Sequence, residues 1–366
     1  MQKTPPPTFA STDTTGKASQ MSRAGRESKQ LRHTPVDLEA LRQLRDWLKW
    51  INNEWAAGRA PHDLVTQYPP EEVVKKLYLV TSQIIKMAKT DVAGHGYIAH
   101  HYTESPSGRW YANGVNLQNS PGLIKQAALA GLWEYDFSNC HFDIIGQMAA
   151  QYGYQCEAIA HDLANKKFVR QTIADQAGIT VRDAKVCLLA VMYGAKASTW
   201  HENAIPEEIG VEATERLFEV DLFKEIFADV EKAREIIVKS WPRTANGSLT
   251  NAYGKAISGT DTTIEQHLAH LLQGAEAKAL MVAINMYPND LVLLQHDGFV
   301  ATKKLHVPTI SDEVFEATGY RLELEESKIQ VNPDAQFQKS LDQQNKNRLK
   351  RRSPMKKPIF KQTFAR

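Results

Sequence analysis

Two aspartates, Asp136 and Asp297, each close a short apolar stretch: Trp133-Glu134-Tyr135-Asp136 and Leu293-Leu294-Gln295-His296-Asp297. An acid set beside apolar strand residues costs free energy unless a cation compensates it. Two such acids brought together repel unless they share a divalent metal. Mg²⁺ suits such a pair, because it takes one or two carboxylates and completes its shell with waters and substrate phosphates. Two ions held there stabilise the attacking and leaving oxygens of an in-line phosphoryl displacement. The plainer role for a strand-end aspartate is a cap or a turn. The two residues are remote in the chain, so only the fold can bring them together.

The elements that must position them read as follows. Leu38, Leu41, Leu44, Leu48 and Ile51 form one helical stripe within 35–57, and Val73, Leu77, Ile84 and Ile85 another within 70–89. Residues 94–121 carry Gly, Asn, Pro and aromatics without helical period and are expected to be strands and loops. Residues 132–142 form a strand entering a helix near 142–152. Residues 158–203 and 211–240 are expected to be mainly helical, including 182–193, and 259–286 contains a further helix. Leu291–Leu294 and Gly298–Thr302 bracket Gln295-His296-Asp297 as a β-hairpin whose tight turn uses Gly298. Residues 315–330 finish the body as helix, then strand. The class is α+β, with a helical insertion between two separated acids.

The chain has 366 residues, room for two or three modest domains. No apolar run approaches the roughly 18–20 residues of a membrane span, and no secretory signal is expected. Cys140, Cys156 and Cys187 are scattered and include no CxxC pair, so neither a disulfide framework nor a zinc site is expected; the natural home is a reducing cytoplasm. The net charge of +2 conceals an asymmetry: residues 343–366 hold nine Lys/Arg and no acid, residues 1–35 balance to +4, and the body between is acidic. Two basic tails on an acidic body suit recruitment of a polyanion. A solvated tail with no partner has the same composition.

Several blocks carry a resemblance. Gly108-Arg109-Trp110-Tyr111, then Asn116-Leu117-Gln118-Asn119-Ser120-Pro121 and Ile124-Lys125-Gln126-Ala127, resemble the opening of the palm in family A (DNA polymerase I-like) DNA polymerases. Asp136-Phe137-Ser138-Asn139 resembles that family's motif A. Arg182-Asp183-Ala184-Lys185 with Tyr193-Gly194 is similar to motif B on the fingers helix. Tyr253-Gly254-Lys255 and Gln273-Gly274-x-x-Ala277 are similar to later family segments, and His296-Asp297 to motif C. The blocks occur in family order over about residues 97–302, with kinship to phage-type single-subunit RNA polymerases.

The resemblance implies a compact right-hand polymerase: a palm sheet with helical fingers and a reduced helical thumb. Its expected divisions are a disordered basic tail at 1–35, a thumb-like region at 36–106, palm at 107–160 and 259–335, fingers at 161–258 and a basic tail at 336–366. A proofreading exonuclease domain is not expected. Asp136 and Asp297, with the Phe137 backbone carbonyl, are implied to hold two Mg²⁺ ions, with Mn²⁺ as the alternative. Lys185 would neutralise triphosphate charge. Arg182, Leu189, Tyr193, His141 and Phe137 are implied at the nucleotide, with Tyr193 stacking there. Arg109, Gln118, Asn119, Gln273 and His296 are implied at the primer-template, through contacts that position without specifying sequence.

The partners so implied are a DNA primer-template (RNA as the alternative), nucleoside triphosphates and a replication or processivity protein, with no membrane. Compactness suggests a phage or mobile element, which would place the protein in host cytoplasm.

Departures from the family pattern mark what stays open. Gly298 stands where motif C has an acid or Ser. Arg182 sits three residues before Lys185, with Val181 in the position one turn back; Leu189 replaces the usual Phe, Tyr or Met. His141 takes the place where DNA polymerases use Glu against a ribose 2′-OH; a His crowds that hydroxyl or hydrogen-bonds it. The expected activity is DNA-directed DNA polymerisation. A phage-type RNA polymerase or primase-like enzyme is one alternative, and a catalytically inactive polymerase-like nucleic-acid-binding protein another.

Overall fold

The computed structural model describes residues 29–58 and 71–330, a mixed α+β chain in two compact units. The first unit holds the described residues of 1–34, 99–114 and 132–328; the second holds those of 35–98, 115–131 and 329–366.

The second unit is helical around a small apolar core. Helix α1 (Leu38–Ala56) starts at Asp37, whose side chain accepts from the Ala40 N–H and satisfies one of the orphan donors of the first turn. Its stripe Leu41, Leu48 and Ile51 is buried. It packs on α2 (Glu71–Met87), which buries Val74, Leu77 and Ile84, and on the short α3 (Gly122–Ala128).

Strand β1 (Lys29–Val36) was not expected: residues 1–35 read as a disordered tail. It is held by side chains that bond far along the chain. Thr34, fully buried, donates to the Val292 carbonyl at 2.6 Å and lies 2.8 Å from His100 Nδ1, while Arg32 reaches the Leu291 carbonyl. Strand β1 belongs to a sheet ordered β1-β3-β2, with β2 at Lys89–Thr90, β3 at Gly96–Glu104 and β4 (Trp110–Ala112) pairing β3. Residues 1–28 and 331–366 lie outside the described residues, and with them most of both basic tails.

The first unit is built on a four-stranded antiparallel sheet, order β10-β5-β9-β8: β5 at Trp133–Phe137, β8 at Leu291–Leu294, β9 at Gly298–Ala301 and β10 at Leu324–Lys328. Helix α4 (Cys140–Gln151) follows β5 directly. Helices α5 (Glu157–Ala177), α6 (Val181–Met192), α7 (Ala204–Ile209), α8 (Val211–Glu219) and α9 (Asp221–Ser240) come next. After a two-stranded ribbon (β6, Leu249–Thr250; β7, Ala256–Ile257) come α10 (Ile264–Met286) and α11 (Val307–Thr318).

Local chemistry explains the ends. Helices α6 and α10 both begin with reciprocal capping boxes, Thr180 with Asp183 and Thr263 with Gln266. Helix α5 has no side-chain cap of its own; buried Asp229 on α9 accepts from the Ala158 and Ile159 N–H groups at 2.8 and 3.2 Å instead. Tyr135, Phe137 and Phe299 enter one continuous apolar core with residues of α4, α5, α6, α9 and α10. The helical expectation for 158–203 overshoots: α6 stops at Met192, and Gly194 follows with φ +95°. Cys140, Cys156 and Cys187 are free and buried. Among the described residues no helix is long and apolar enough to cross a membrane.

Candidate active site

Strand β5 runs between β9 and β10, with Asp136 opposite Gly298 on one side and Glu325 on the other. Because side chains alternate along a strand, Tyr135 and Phe137 enter the core while Glu134 and Asp136 share the opposite face. Asp297 ends the turn between β8 and β9, one residue before Gly298, and its carbonyl accepts the Phe137 N–H at 2.7 Å. The two remote acids therefore arrive on neighbouring, hydrogen-bonded segments, and both are exposed.

Desolvation at this face, then Asp297 and Glu134, and also Glu325, push the Asp136 carboxyl up to about 7, with Lys185 opposing. Glu134 is occupied by Gln295, whose amide donates to it at 2.8 Å.

Gly298 has a different reason from the one expected. Its φ is not positive, so the turn does not require glycine there. A Cβ at 298 would lie 2.2 Å from the Tyr135 carbonyl oxygen and 3.1 Å from the Asp136 Cα. Strand β9 approaches β5 too closely for a side chain, so this backbone cannot carry the acid or Ser of the resembled motif. Gly274 is similar: a Cβ would meet the Asn251 side chain at 2.2 Å. Asn251 donates to the Ser107 and His270 carbonyls and accepts from the Tyr253 and Lys255 N–H groups.

Helix α6 buries Ala184, Cys187, Leu188, Val191 and Met192 and turns Arg182, Lys185 and Tyr193 outward, with Leu189 half-buried. Lys185 is close enough to act electrostatically on both Asp136 and Glu325. Tyr193 caps the helix rather than continuing it. Its hydroxyl lies 2.6 Å from His141 Nδ1, and the two rings meet edge-on at 5.6 Å.

His141 is buried, and its Nε2 lies 2.9 Å from the Glu276 carboxylate. Glu276, 2 % exposed on α10, also accepts a two-pronged bond from Arg109 at 2.6 and 2.7 Å. Burial works against the Glu276 charge, yet His141 and Arg109 hold its pKa below the ordinary value. His141 Nε2 faces two opposed partners, the Glu276 carboxylate, which only accepts, at 2.9 Å and the Arg109 guanidinium, which only donates, at 3.2 Å, while the Tyr193 hydroxyl meets Nδ1. The chain Arg109–Glu276–His141–Tyr193 thus fixes a bulky ring on the helix that follows Asp136 and tethers an exposed tyrosine to it.

The other expected site residues are placed as follows. The Arg109 guanidinium is turned onto Glu276, with its side chain 13 % exposed. The Phe137 ring is in the core, leaving only its backbone for the site. His296 lies in the turn with its ring 4.8 Å from that of Tyr111. Gln273 is half-buried on α10. Gln118 and Asn119 belong to the second unit, where Gln118 is buried and Asn119 exposed.

Sequence reasoning missed Glu276, Glu325 and Lys166. Glu276 was an unspecified position within Gln273-Gly274-x-x-Ala277, and an acid between Ala275 and Ala277 beside Gly274 was the available signal. Lys166, on α5, donates to Ser138 Oγ and to Glu325, each at 2.7 Å. Beside it lies a cavity of about 550 Å³ lined by Ser138, Asn139, Asp143, Leu163, Arg321 and Glu323.

Among the described residues no group of three or more His, Cys, Asp or Glu side chains is arranged to hold a metal ion. The donor set fits Mg²⁺ on other grounds: two carboxylates on adjoining segments, with desolvation and then the Asp297 charge raising the pKa of Asp136, and the remaining positions left to water and substrate oxygens. No protein-family model matches this chain, and no curated protein matches it.

Proposed function

We propose that this chain is a template-directed nucleotidyltransferase that extends a nucleic-acid primer, with the right-hand polymerase arrangement and DNA as its product. The observation that carries this reading is the convergence of Asp136 and Asp297 on hydrogen-bonded segments of one sheet, with the exposed cation Lys185 acting on Asp136. In this reading the sheet of β5, β8, β9 and β10 is the palm, and α5 to α9 belong to the fingers.

Asp136, Asp297 and the Phe137 carbonyl would hold two Mg²⁺ ions, or Mn²⁺ in their place. When bound, such ions activate a primer 3′-hydroxyl and neutralise charge on the leaving pyrophosphate. The chain's own groups do the rest. Lys185 and Arg182, on the outward face of α6, draw the triphosphate to the acid face. Tyr193 offers a ring to the nucleotide, and His141, held by Glu276, fills space beside motif A in a way that disfavours a ribose 2′-hydroxyl.

The inactive, nucleic-acid-binding alternative draws on Gly298, which leaves the site one carboxylate or hydroxyl short of the resembled pattern, and on the shifted place of Arg182. Extension of a labelled primer on DNA and RNA templates, with dNTPs or rNTPs and Mg²⁺ or Mn²⁺, tests the proposal. Metal-dependent dNTP incorporation abolished by Asp136→Ala and by Asp297→Ala supports it. Exclusive rNTP use favours the RNA-polymerase or primase-like alternative, and no extension under any condition favours the inactive one.

A further inference from the structure

Helix α5 is broken at Asn165, whose φ of −128° and ψ of 30° are not helical. The break redirects the residues that follow. On the far side Arg170 is nearly buried; it donates to Asn139 at 2.7 Å and pairs with buried Asp162 at 3.2 Å. Asn139 is the single non-glycine residue with positive φ among those described, at +49°, and it joins motif A to α4. Arg170 therefore ties the second half of α5 to the turn that follows Asp136.

One helical turn before Arg170, on the same side, stands Lys166. Its ammonium donates to Ser138, two residues after Asp136, and to Glu325, which faces Asp136 across the strand pair. Glu323 lies further off, at 3.8 Å. The Lys166 side chain is 31 % exposed and that of Glu325 53 %.

We propose that Lys166 is a second cation for the polyphosphate of the incoming nucleotide, and that Glu325 occupies it as a stand-in anion in the free protein. This rests on the polymerase reading only for the identity of the ligand as a nucleoside triphosphate. Three observations converge. The ammonium is fixed at the same level of the sheet as the acid pair, by a buried serine and a tethered helix. Lys185 acts on the same two carboxylates, Asp136 and Glu325, so the two lysines serve one patch. The bond to Glu325 is an accessible ion pair, a weak class of interaction, whereas a phosphate brings more negative charge and several acceptor oxygens to an ammonium. Nucleotide arrival would then exchange one anion for another, releasing Glu325 on the strand beside Asp136.

Calorimetric titration of the full chain with inorganic tripolyphosphate in the presence of Mg²⁺ tests this without requiring catalysis. Lys166→Met should weaken binding about tenfold, and Glu325→Gln should tighten it several-fold by removing the competitor. Thermal melts of both variants establish folding; if Lys166→Met melts early, Lys166→Gln and the Glu325→Gln result carry the test. Absence of tripolyphosphate binding by the unaltered chain, unchanged affinity in the Lys166 variants, or weakening by Glu325→Gln would overturn the proposal. Lys166-dependent binding in a protein that extends no primer would end the polymerase reading and leave the anion site standing.

Discussion

Removing Glu276 should do more damage than any single exposed acid of the site. The carboxylate is 2 % exposed, accepts bonds at 2.6 and 2.7 Å from Arg109 and lies 2.9 Å from His141 Nε2. Glu276→Ala leaves a guanidinium whose side chain is 13 % exposed without its acceptor, and it also strips the Nε2 partner from a buried histidine. Breaking one partner of a buried pair costs about 3–5 kcal/mol. For a unit of this size each kcal/mol moves Tm by roughly 2–4 °C, so the melt should fall by roughly 10 °C. Glu276→Gln keeps shape and one acceptor and should lie between.

The double change Arg109→Met with Glu276→Leu replaces both charges by apolar groups and should recover part of the Glu276→Ala loss, with about 1–3 kcal/mol remaining for the buried His141 Nε2 that it leaves without a partner. Denaturant unfolding of the unaltered chain, Arg109→Met, Glu276→Leu and the double variant gives the coupling energy directly. A Glu276→Ala cost below about 1 kcal/mol, or a double variant whose loss is the sum of the singles, would refute the reasoning.

Three further outcomes are expected. Gly298→Ala should destabilise by about 1–3 kcal/mol or more, an overpacking cost, because its Cβ has 2.2 Å to the Tyr135 carbonyl; a melt equal to the parent's would contradict the close strand approach. The folded metal-free protein holds the Asp136 proton up to about 7, while an unfolded aspartate releases it near 3.9. Between those values the native state binds more protons than the unfolded one, so this group lowers stability as pH rises through the window. Mg²⁺ should accordingly raise Tm more at pH 8 than at pH 5.5, and Asp136→Asn should abolish the difference. Deleting 343–366, with its nine cations, should weaken DNA binding and flatten its logarithmic dependence on salt by about 0.9 for each phosphate the protein then leaves unneutralised; an unchanged slope would remove the tail from the interface.

The sequence made the local parts legible and hid the long-range ones. Periodic stripes such as Leu41, Leu48 and Ile51 announce α1, and the apolar run before Gln295 announces the hairpin, because burial of those faces is decided within a few residues. Strand β1 carries no such signal. Its place is set by Arg32 and Thr34 bonding to the Leu291 and Val292 carbonyls of β8. The acid pair was visible as two strand ends, and the sheet register does bring them together. Glu276 and Lys166 were not visible, since their meaning lies in His141 and Arg109 for the one, and in Ser138 and Glu325 for the other. Gly298 was legible as glycine but not in its cause: the spacing between β5 and β9 is a property of the pair, not of either strand.

If the proposed function holds, Asp136 and Asp297 grip the same ions. Titration of the chain with Mn²⁺, read as free ion by electron paramagnetic resonance, addresses it without any assumption about substrate. Asp136→Asn and Asp297→Asn should each weaken binding by about tenfold or more, and the double variant should be little worse than either. Parent-like affinity in either single variant, or losses that simply add, would mean that the two carboxylates serve separate purposes.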